Sequence, residues 1–310
     1  MIVAVEHAAH AERKTRAATL SIVSNSVLIA LKLVAGAITG SIAIITEAVH
    51  SSIDLMASIV ALFSVRKAEE PADESHPYGH EKVENLTAAL EGVLILVGAG
   101  IIVYESAHRL ADPAPVESLG FGIVAIAVSA VANLGISTYL YRQARETQSP
   151  ALEGDAAHLR TDAATSLGVL AALVVVSITD VEWLDPVTAL VVAGAIVWAG
   201  VRLISRSSRV LVDEALPDEE LAAIAAAVEA SGDPEVAGFH KLRARRAGSR
   251  RYSDLHVQFR RGTTLERAHE LSHELQAEIR RRVHRADVLI HIEPESPGGE
   301  GGGDGPLSAG

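Results

Sequence analysis

The polar and apolar positions divide the chain into two parts. Six long apolar runs come first, and each is near the roughly 20 residues that a helix needs to cross a bilayer. They occupy residues 17–38, 42–65, 85–107, 119–141, 151–178 and 186–203. Shorter periodic segments replace them after about residue 213. The pattern therefore predicts an α-helical membrane protein, a six-span transmembrane bundle followed by a small soluble domain.

The soluble part contains two kinds of periodic segment. Residues 218–230 and 265–283 have helical spacing, whereas residues 236–247, 250–260 and 287–293 resemble strands. The order αββαβ predicts a small α+β sandwich. We therefore expect a terminal segment at 1–16, a transmembrane domain at 17–212, a soluble domain at 213–294 and a disordered Gly-rich tail at 295–310.

Charge sets the expected orientation. In a six-span arrangement nearly all basic loop residues fall on one side of the membrane, and by the positive-inside rule that side is cytoplasmic. They are Arg13, Lys14, Arg16, Arg66, Lys67, Lys82, Arg142, Arg145, Arg202, Arg206 and Arg209. The first apolar run is longer than the core of a signal peptide, so it is expected to be retained. The prediction is a multi-pass protein of the inner cell membrane with both termini in the cytoplasm.

Composition narrows the chemistry. The 310 residues include no cysteine and carry a formal net charge of -12, with a mean hydropathy of +0.26. A thiolate metal site is excluded, so any metal ion must be held by histidine, aspartate and glutamate. The acidic balance argues against nucleic acid as a partner.

Two predicted spans carry the same polar pair. His50 and Asp54 stand four residues apart in the second span, and His158 and Asp162 repeat that order in the fifth. On a helix each pair lies on one face, so two helices can offer two imidazoles and two carboxylates to one divalent metal ion. Zinc suits such a tetrahedral set, although iron, cobalt, nickel, cadmium and manganese use similar ligands. The alternative is two ordinary pairs on helix surfaces.

The loop after the second span contains a further set of ligand types. Asp73, His76 and His80 have the spacing D-x-x-H-x-x-x-H, and a loop can fold all three around a metal ion. The alternative for this segment is a solvated polar loop.

The soluble domain contains a third set. Its members fall on the three predicted strands, where sheet neighbours can bring them together, and they are His240, His256, His291 and Glu293. His291 and Glu293 alternate onto one strand face. His269 and His273, four residues apart on the last predicted helix, can contribute. The alternative is a scatter of surface histidines.

These motifs together resemble the cation diffusion facilitator family, and the resemblance runs from about residue 11 to 294. It rests on the two His-x-x-x-Asp pairs, on residues 73–84 with their His-Pro-Tyr-Gly-His segment, on Asp185-Pro186 and on residues 213–217. The resemblance implies a homodimer of six-span protomers, each with a cytoplasmic ferredoxin-like domain. It also implies metal efflux driven by proton antiport.

The resemblance also implies roles for the three sets. The transport site corresponds to His50, Asp54, His158 and Asp162, and the loop site to Asp73, His76 and His80. A cytoplasmic binuclear site corresponds to His240, His256, His291 and Glu293, with His269 as an additional ligand.

The sequence therefore predicts a zinc/proton antiporter that exports Zn²⁺ from the cytoplasm. Zn²⁺ would be both the transported and the regulatory ion, and protons would be the counter-ion, because a protonated imidazole cannot bind a metal ion. Alternatives are a transporter of Fe²⁺, Co²⁺, Cd²⁺ or Mn²⁺, or a membrane-anchored metal sensor. A membrane metalloenzyme would need a spare general base, and Glu47 is the one candidate in the sequence, so we expect no enzyme.

Overall fold

The computed structural model describes residues 2–39, 42–111, 120–179 and 183–295. The chain forms two compact units, Met1–Ser208 and Arg209–Gly310. The predicted disorder of the Gly-rich tail concerns residues 296–310, which lie outside the described residues.

Long helices make up the first unit. They are α1 (Ile2–Thr39), α2 (Ile42–Ala68), α3 (Lys82–Ala111), α4 (Gly120–Thr147), α5 (Pro150–Thr179) and α6 (Leu184–Leu211). The shortest of these, α2, has 27 residues, so it is roughly 40 Å long and exceeds the roughly 30 Å hydrocarbon core of a bilayer.

Three stretches of the described residues are long and apolar enough to cross a membrane. They are His10–Val34 in α1, Lys82–His108 in α3 and Pro186–Leu211 in α6. The first half of α5 is rich in polar side chains, with Glu153, Asp155, His158, Arg160 and Asp162. That all six helices cross the membrane stays a prediction.

The first helix is longer than the apolar pattern indicated. Helix α1 begins at Ile2, whereas the apolar run begins near residue 17. The preceding segment is polar but contains alanine, glutamate, lysine and arginine, which are strong helix formers. Hydropathy marks where the apolar run begins, and the helix begins well before that residue.

Small side chains bring the helices of the first unit close together. One buried cluster joins α1, α2, α4 and α5 and includes Ala17, Ala144 and Ala156. Helices α3 and α6 also meet closely, because a Cβ atom at Gly92 would lie 2.6 Å from Cγ1 of Ile204. Small residues at helix contacts are typical of membrane bundles, where the backbones must approach closely to pack.

The second unit has the predicted αββαβ order. Its elements are α7 (Asp218–Glu229), β1 (Val236–Ala247), β2 (Arg250–Phe259), α8 (Leu265–Arg282) and β3 (Ala286–Pro294). The sheet order is β1-β2-β3, with β1 antiparallel and β3 parallel to β2. A two-residue turn that contains Gly248, with φ of 54°, joins β1 to β2, as the left-handed conformation of a tight hairpin requires. The core joins the two helices to the sheet through residues such as Ile224, Leu255 and Leu275.

A buried network of ion pairs lies at one end of the first unit, the helical unit. Lys14 of α1 is 1% exposed, and its Nζ donates to Oε1 of Glu69 at 2.7 Å and to Oε1 of Glu84 at 2.8 Å. The hydroxyl of Ser149, just before α5, donates to the other carboxylate oxygen of Glu84. Lys14 therefore links α1 to α3 and to the segment after α2, and Glu84 extends the network to the start of α5.

Replacing Lys14 by methionine should strongly destabilise the helical unit. Loss of one partner from a buried ion pair leaves an uncompensated charge and costs about 3–5 kcal/mol. Arg16→Met is the matched control, because Arg16 pairs with Glu12 on the exposed surface, where an ion pair contributes about 0–1 kcal/mol. The measurement is the midpoint of thermal unfolding in detergent, and equal midpoints for the two variants would contradict the structural role of Lys14.

Candidate metal sites

Helices α2 and α5 bring three of the predicted ligands together inside the first unit. Nε2 of His158 lies 3.1 Å from Oδ1 of Asp54 and 3.8 Å from Oδ2 of Asp162. Asp54 and His158 are buried, and Asp162 is partly buried. His158 and Asp162 share a face of α5 because they stand four residues apart, so the predicted pairing of the two helices is present.

The spacing of these atoms suits a small divalent cation. Zinc binds nitrogen and oxygen ligands at 2.0–2.2 Å, which places tetrahedral ligand atoms roughly 3.4 Å apart. The separations of 3.1 and 3.8 Å lie on either side of that value. The three side chains can therefore supply one imidazole and two carboxylate ligands to a metal ion after small movements.

The remaining predicted ligand of this set is His50. Its backbone belongs to α2, one turn before Asp54, but its side chain lies outside the described residues. Its role as the fourth ligand stays a prediction from the sequence.

A polar network lies next to the site, on the same faces of α2 and α5. The hydroxyl of Ser58, one turn after Asp54, donates to Oδ1 of Asp155 at 2.9 Å. Nδ2 of Asn25 donates to Ser58 Oγ at 3.0 Å, and the hydroxyl of Ser21 lies 3.1 Å from it. The network ties α1 to the two ligand-bearing helices, so it holds the spacing between them.

The search for paired ligands in the sequence missed two buried carboxylates beside this site. Asp155 lies on α5, three residues before His158, and Glu91 lies on α3; both are buried. Each is an ionisable residue in a predicted membrane span, the same signal that selected His50 and Asp54. A list of all ionisable residues in the predicted spans, whether or not they form a His-x-x-x-Asp pair, includes both carboxylates.

The loop between α2 and α3 brings its three predicted ligands to one point. Nε2 of His80 lies 3.1 Å from Nδ1 of His76 and 3.3 Å from Oδ2 of Asp73. Oδ1 of Asp73 accepts the backbone N–H groups of His76, at 2.6 Å, and Ser75, at 2.9 Å. The backbone hydrogen bond from His76 holds the pKa of Asp73 below its ordinary value, so this carboxylate stays ionised and available to a cation.

The sheet of the second unit aligns three histidines in one row. His240 of β1 stands opposite His256 of β2, and His256 stands opposite His291 of β3. The ladder has an irregularity between His240 and Arg243, where Lys241 adopts a positive φ of 50°. Irregularities of this kind redirect neighbouring side chains.

Glu293 joins two of these histidines. One of its carboxylate oxygens lies 3.0 Å from Nε2 of His240 and the other lies 2.5 Å from Nδ1 of His256. Burial alone would raise the pKa of Glu293, but the hydrogen bonds from His256 and His240 outweigh it and the pKa is lowered. The carboxylate is therefore ionised between two imidazoles, and the three groups can hold a cation.

The other two predicted cytoplasmic ligands lie differently. The ring of His291 is tilted by 50° to that of His256, with the ring centroids 4.6 Å apart. Its Nε2 is 3.7 Å from Glu293, and its side chain is largely exposed. His269 lies outside the described cluster of His240, His256 and Glu293. Its Nε2 is 3.2 Å from Nε2 of His273, one turn further along α8.

Two family models together match nearly the whole chain. Residues 18–212 match the family model described as the cation efflux transmembrane domain. Residues 216–295 match the model described as the cytoplasmic domain of cation efflux proteins. The chain therefore belongs to the cation diffusion facilitator family. It is an integral membrane protein for the efflux of divalent metal cations, and it is not an enzyme.

Individual relatives cover nearly the whole chain. It is 37% identical over 278 residues to the uncharacterized transporter sll1263 of Synechocystis sp., a match that covers 89% of each chain. It is 32% identical over 284 residues to the cation-efflux pump FieF of Klebsiella pneumoniae, which covers 91% of this chain and 93% of that one. FieF of Yersinia enterocolitica is 33% identical over 283 residues, with the same coverage.

Replacing both His240 and His256 by alanine should remove zinc bound to the second unit, because two of the three clustered ligands are lost. The measurement is calorimetric titration of the intact protein in detergent with Zn²⁺. The binding should weaken in acid, because an imidazolium cannot act as a ligand. His284→Ala, at an exposed histidine outside the described clusters, is the control. Unchanged binding by the double variant would exclude this site.

Proposed function

We propose that this protein is a zinc/proton antiporter that exports Zn²⁺ from the cytoplasm. The proposal assigns the transport site to Asp54, His158 and Asp162, with His50 as the fourth ligand. It rests on membership of the cation efflux family and on the geometry of the buried cluster.

One observation carries the proposal, the position of Nε2 of His158 between two carboxylates. At 3.1 Å from Oδ1 of Asp54 this nitrogen donates a proton to a hydrogen bond, and Nδ1 has no hydrogen-bond partner among the described residues. A neutral imidazole has one N–H group and one lone pair. Nε2 cannot hold a proton and a metal ion together, so the Nε2 proton must leave when metal binds. A neutral ring then keeps its single N–H at Nδ1, whereas an imidazolium facing the two carboxylates releases one proton for each metal ion bound.

The charges of the cluster favour the same exchange. Two carboxylates and a neutral imidazole carry two negative charges, which one divalent cation neutralises. When the cation leaves, protons restore the balance, because uncompensated charge inside the membrane is costly. Alternating access then moves the site between the two faces of the membrane, and the proton gradient determines the direction of net transport.

Zinc is the metal that this ligand set fits best. The site combines imidazole with carboxylates in a nearly tetrahedral spacing, as zinc prefers. It contains no thiolate, since the chain has no cysteine, so a bound ion can also leave. Iron, cobalt, cadmium and manganese accept the same ligands, and transport measurements must distinguish them.

The proposal includes an orientation in the inner membrane. Basic residues stand in the last turns of α2, α4 and α6, namely Arg66, Lys67, Arg145 and Arg209. If all six helices cross, these ends lie on the side of the N-terminus. The positive-inside rule makes that side cytoplasmic. In this proposal the protein acts as a homodimer. Its loop and cytoplasmic sites also bind Zn²⁺, in a regulatory role.

Asp54→Asn and Asp162→Asn should each abolish transport while the protein still folds. Each change keeps the shape of the side chain and removes one of two negative charges from the site. The measurement is uptake of Zn²⁺ into proteoliposomes driven by an imposed pH gradient, repeated with Cd²⁺, Fe²⁺, Co²⁺ and Mn²⁺. Glu105→Gln, at an exposed carboxylate on α3, is the control and should transport as the wild type does.

The results separate the competing functions. Wild-type flux in either aspartate variant would show that the cluster is not the transport site. If another divalent ion is transported faster than Zn²⁺, the proposed mechanism stands and that ion is the substrate. Zinc binding to the second unit without flux of any ion would favour the membrane-anchored sensor.

A further inference from the structure

Glu91 is a buried carboxylate for which the proposed function has no role. It lies on α3, with Ala88 and Ile95 on the same inward face, and is 1% exposed. Neither of its carboxylate oxygens has a hydrogen-bond partner among the described residues. A buried carboxylate without a partner is strongly unfavourable, so such a residue is either protonated or compensated by a nearby cation.

The packing of α3 against α5 places Glu91 beside the proposed transport site. A Cβ atom at Gly154 would lie 3.0 Å from Cγ of Glu91 and 3.2 Å from Cα of Ala88. Gly154 stands four residues before His158, so both face the same side of α5. The absence of a side chain at Gly154 therefore admits Glu91 next to the helix face that carries His158 and Asp162.

The charges around Glu91 come from that site. Its Cγ would lie 3.0 Å from a Cβ atom at Gly154, which stands next to Asp155 and one turn before His158 on α5. The proposed ligands Asp54 and Asp162 can share one divalent cation with His158, and Asp155 accepts a hydrogen bond from Ser58. Glu91 has neither form of compensation within the described residues, and its side chain packs against the turn of α5 that precedes His158.

We infer that Glu91 is a further ligand for the transported divalent cation, contributed by α3. The inference rests on the proposed function and extends it, because it adds a third helix to a site otherwise formed by α2 and α5. A flexible carboxylate next to His158 can take up the cation when one of the other ligands releases it. Exchange between ligands would allow a cation to enter and leave a site this deeply buried.

The first test compares Zn²⁺ binding and Zn²⁺ flux in three full-length variants. Glu91→Gln keeps the shape and removes the charge, so we expect at least a 10-fold loss of zinc affinity at the transport site, the lower end of the 10- to 100-fold range for loss of a supporting ligand. Flux should fall with it. Glu91→Asp keeps the charge and should recover part of both. Glu105→Gln, on the exposed surface of the same helix, should change neither.

The second test detects coordination directly. The chain contains no cysteine, so Glu91→Cys introduces a single thiol, and a bound Cd²⁺ would give the ultraviolet charge-transfer absorbance of a cadmium–thiolate bond. A chelator holds free Cd²⁺ at a concentration too low for an isolated thiol, such as that of Glu105→Cys, to bind it. We expect the absorbance from Glu91→Cys under this condition. It should disappear when Asp162→Asn is added, because the two residues would hold the same ion.

The outcomes distinguish this inference from the proposed function. Wild-type affinity in Glu91→Gln, or no absorbance from a folded Glu91→Cys variant, would overturn the role of Glu91. If Asp162→Asn is inactive in the same experiments, the transport site itself remains supported. If Asp162→Asn transports normally, the proposed function fails instead.

Discussion

Ionised side chains inside a membrane must have a compensating charge, and this requirement organises the helical unit. Asp54, Glu91, Asp155, His158 and Asp162 lie on α2, α3 and α5, and Glu91 packs against α5 beside Gly154. Four carboxylates face one imidazole, so the cluster has an excess of acidic groups. Desolvation makes such an excess costly, and cations reduce the cost. In the proposed mechanism metal and protons therefore replace one another.

Close packing of the helices makes this concentration of charge possible. Gly154 lets α3 approach α5 next to Glu91, and alanines fill the contacts between α1, α2, α4 and α5. The hydrogen bond that Ser58 donates to Asp155 joins α2 to α5, and the one that it accepts from Asn25 joins α2 to α1. The Lys14 pairs connect α1 to α3 and to the segment after α2. Small residues set the distance between the backbones, and polar contacts set the positions of the side chains.

Much of the architecture follows from periodicity in the sequence. The spacing of His158 and Asp162 places both on one face of a helix, and strand alternation put His291 and Glu293 on one face of β3. Features that depend on tertiary packing could not be predicted this way. The approach of Glu91 to α5 depends on Gly154, and the position of His269 outside the cluster of His240, His256 and Glu293 depends on how α8 packs on the sheet. The early start of α1 reflects helix propensity, to which a hydropathy pattern is insensitive.

The three clusters use the same types of ligand, but they differ in burial. Burial determines how readily a bound cation exchanges with water. The cluster of Asp54, His158 and Asp162 lies inside the helical unit, whereas the loop and sheet clusters include exposed or half-buried members. A cation at an exposed cluster exchanges with the surrounding water, so its occupancy follows the concentration there. A cation in the buried cluster can leave after the helices move. In the proposed function the loop and sheet clusters therefore respond to the concentration of the metal ion, and the buried cluster transports it.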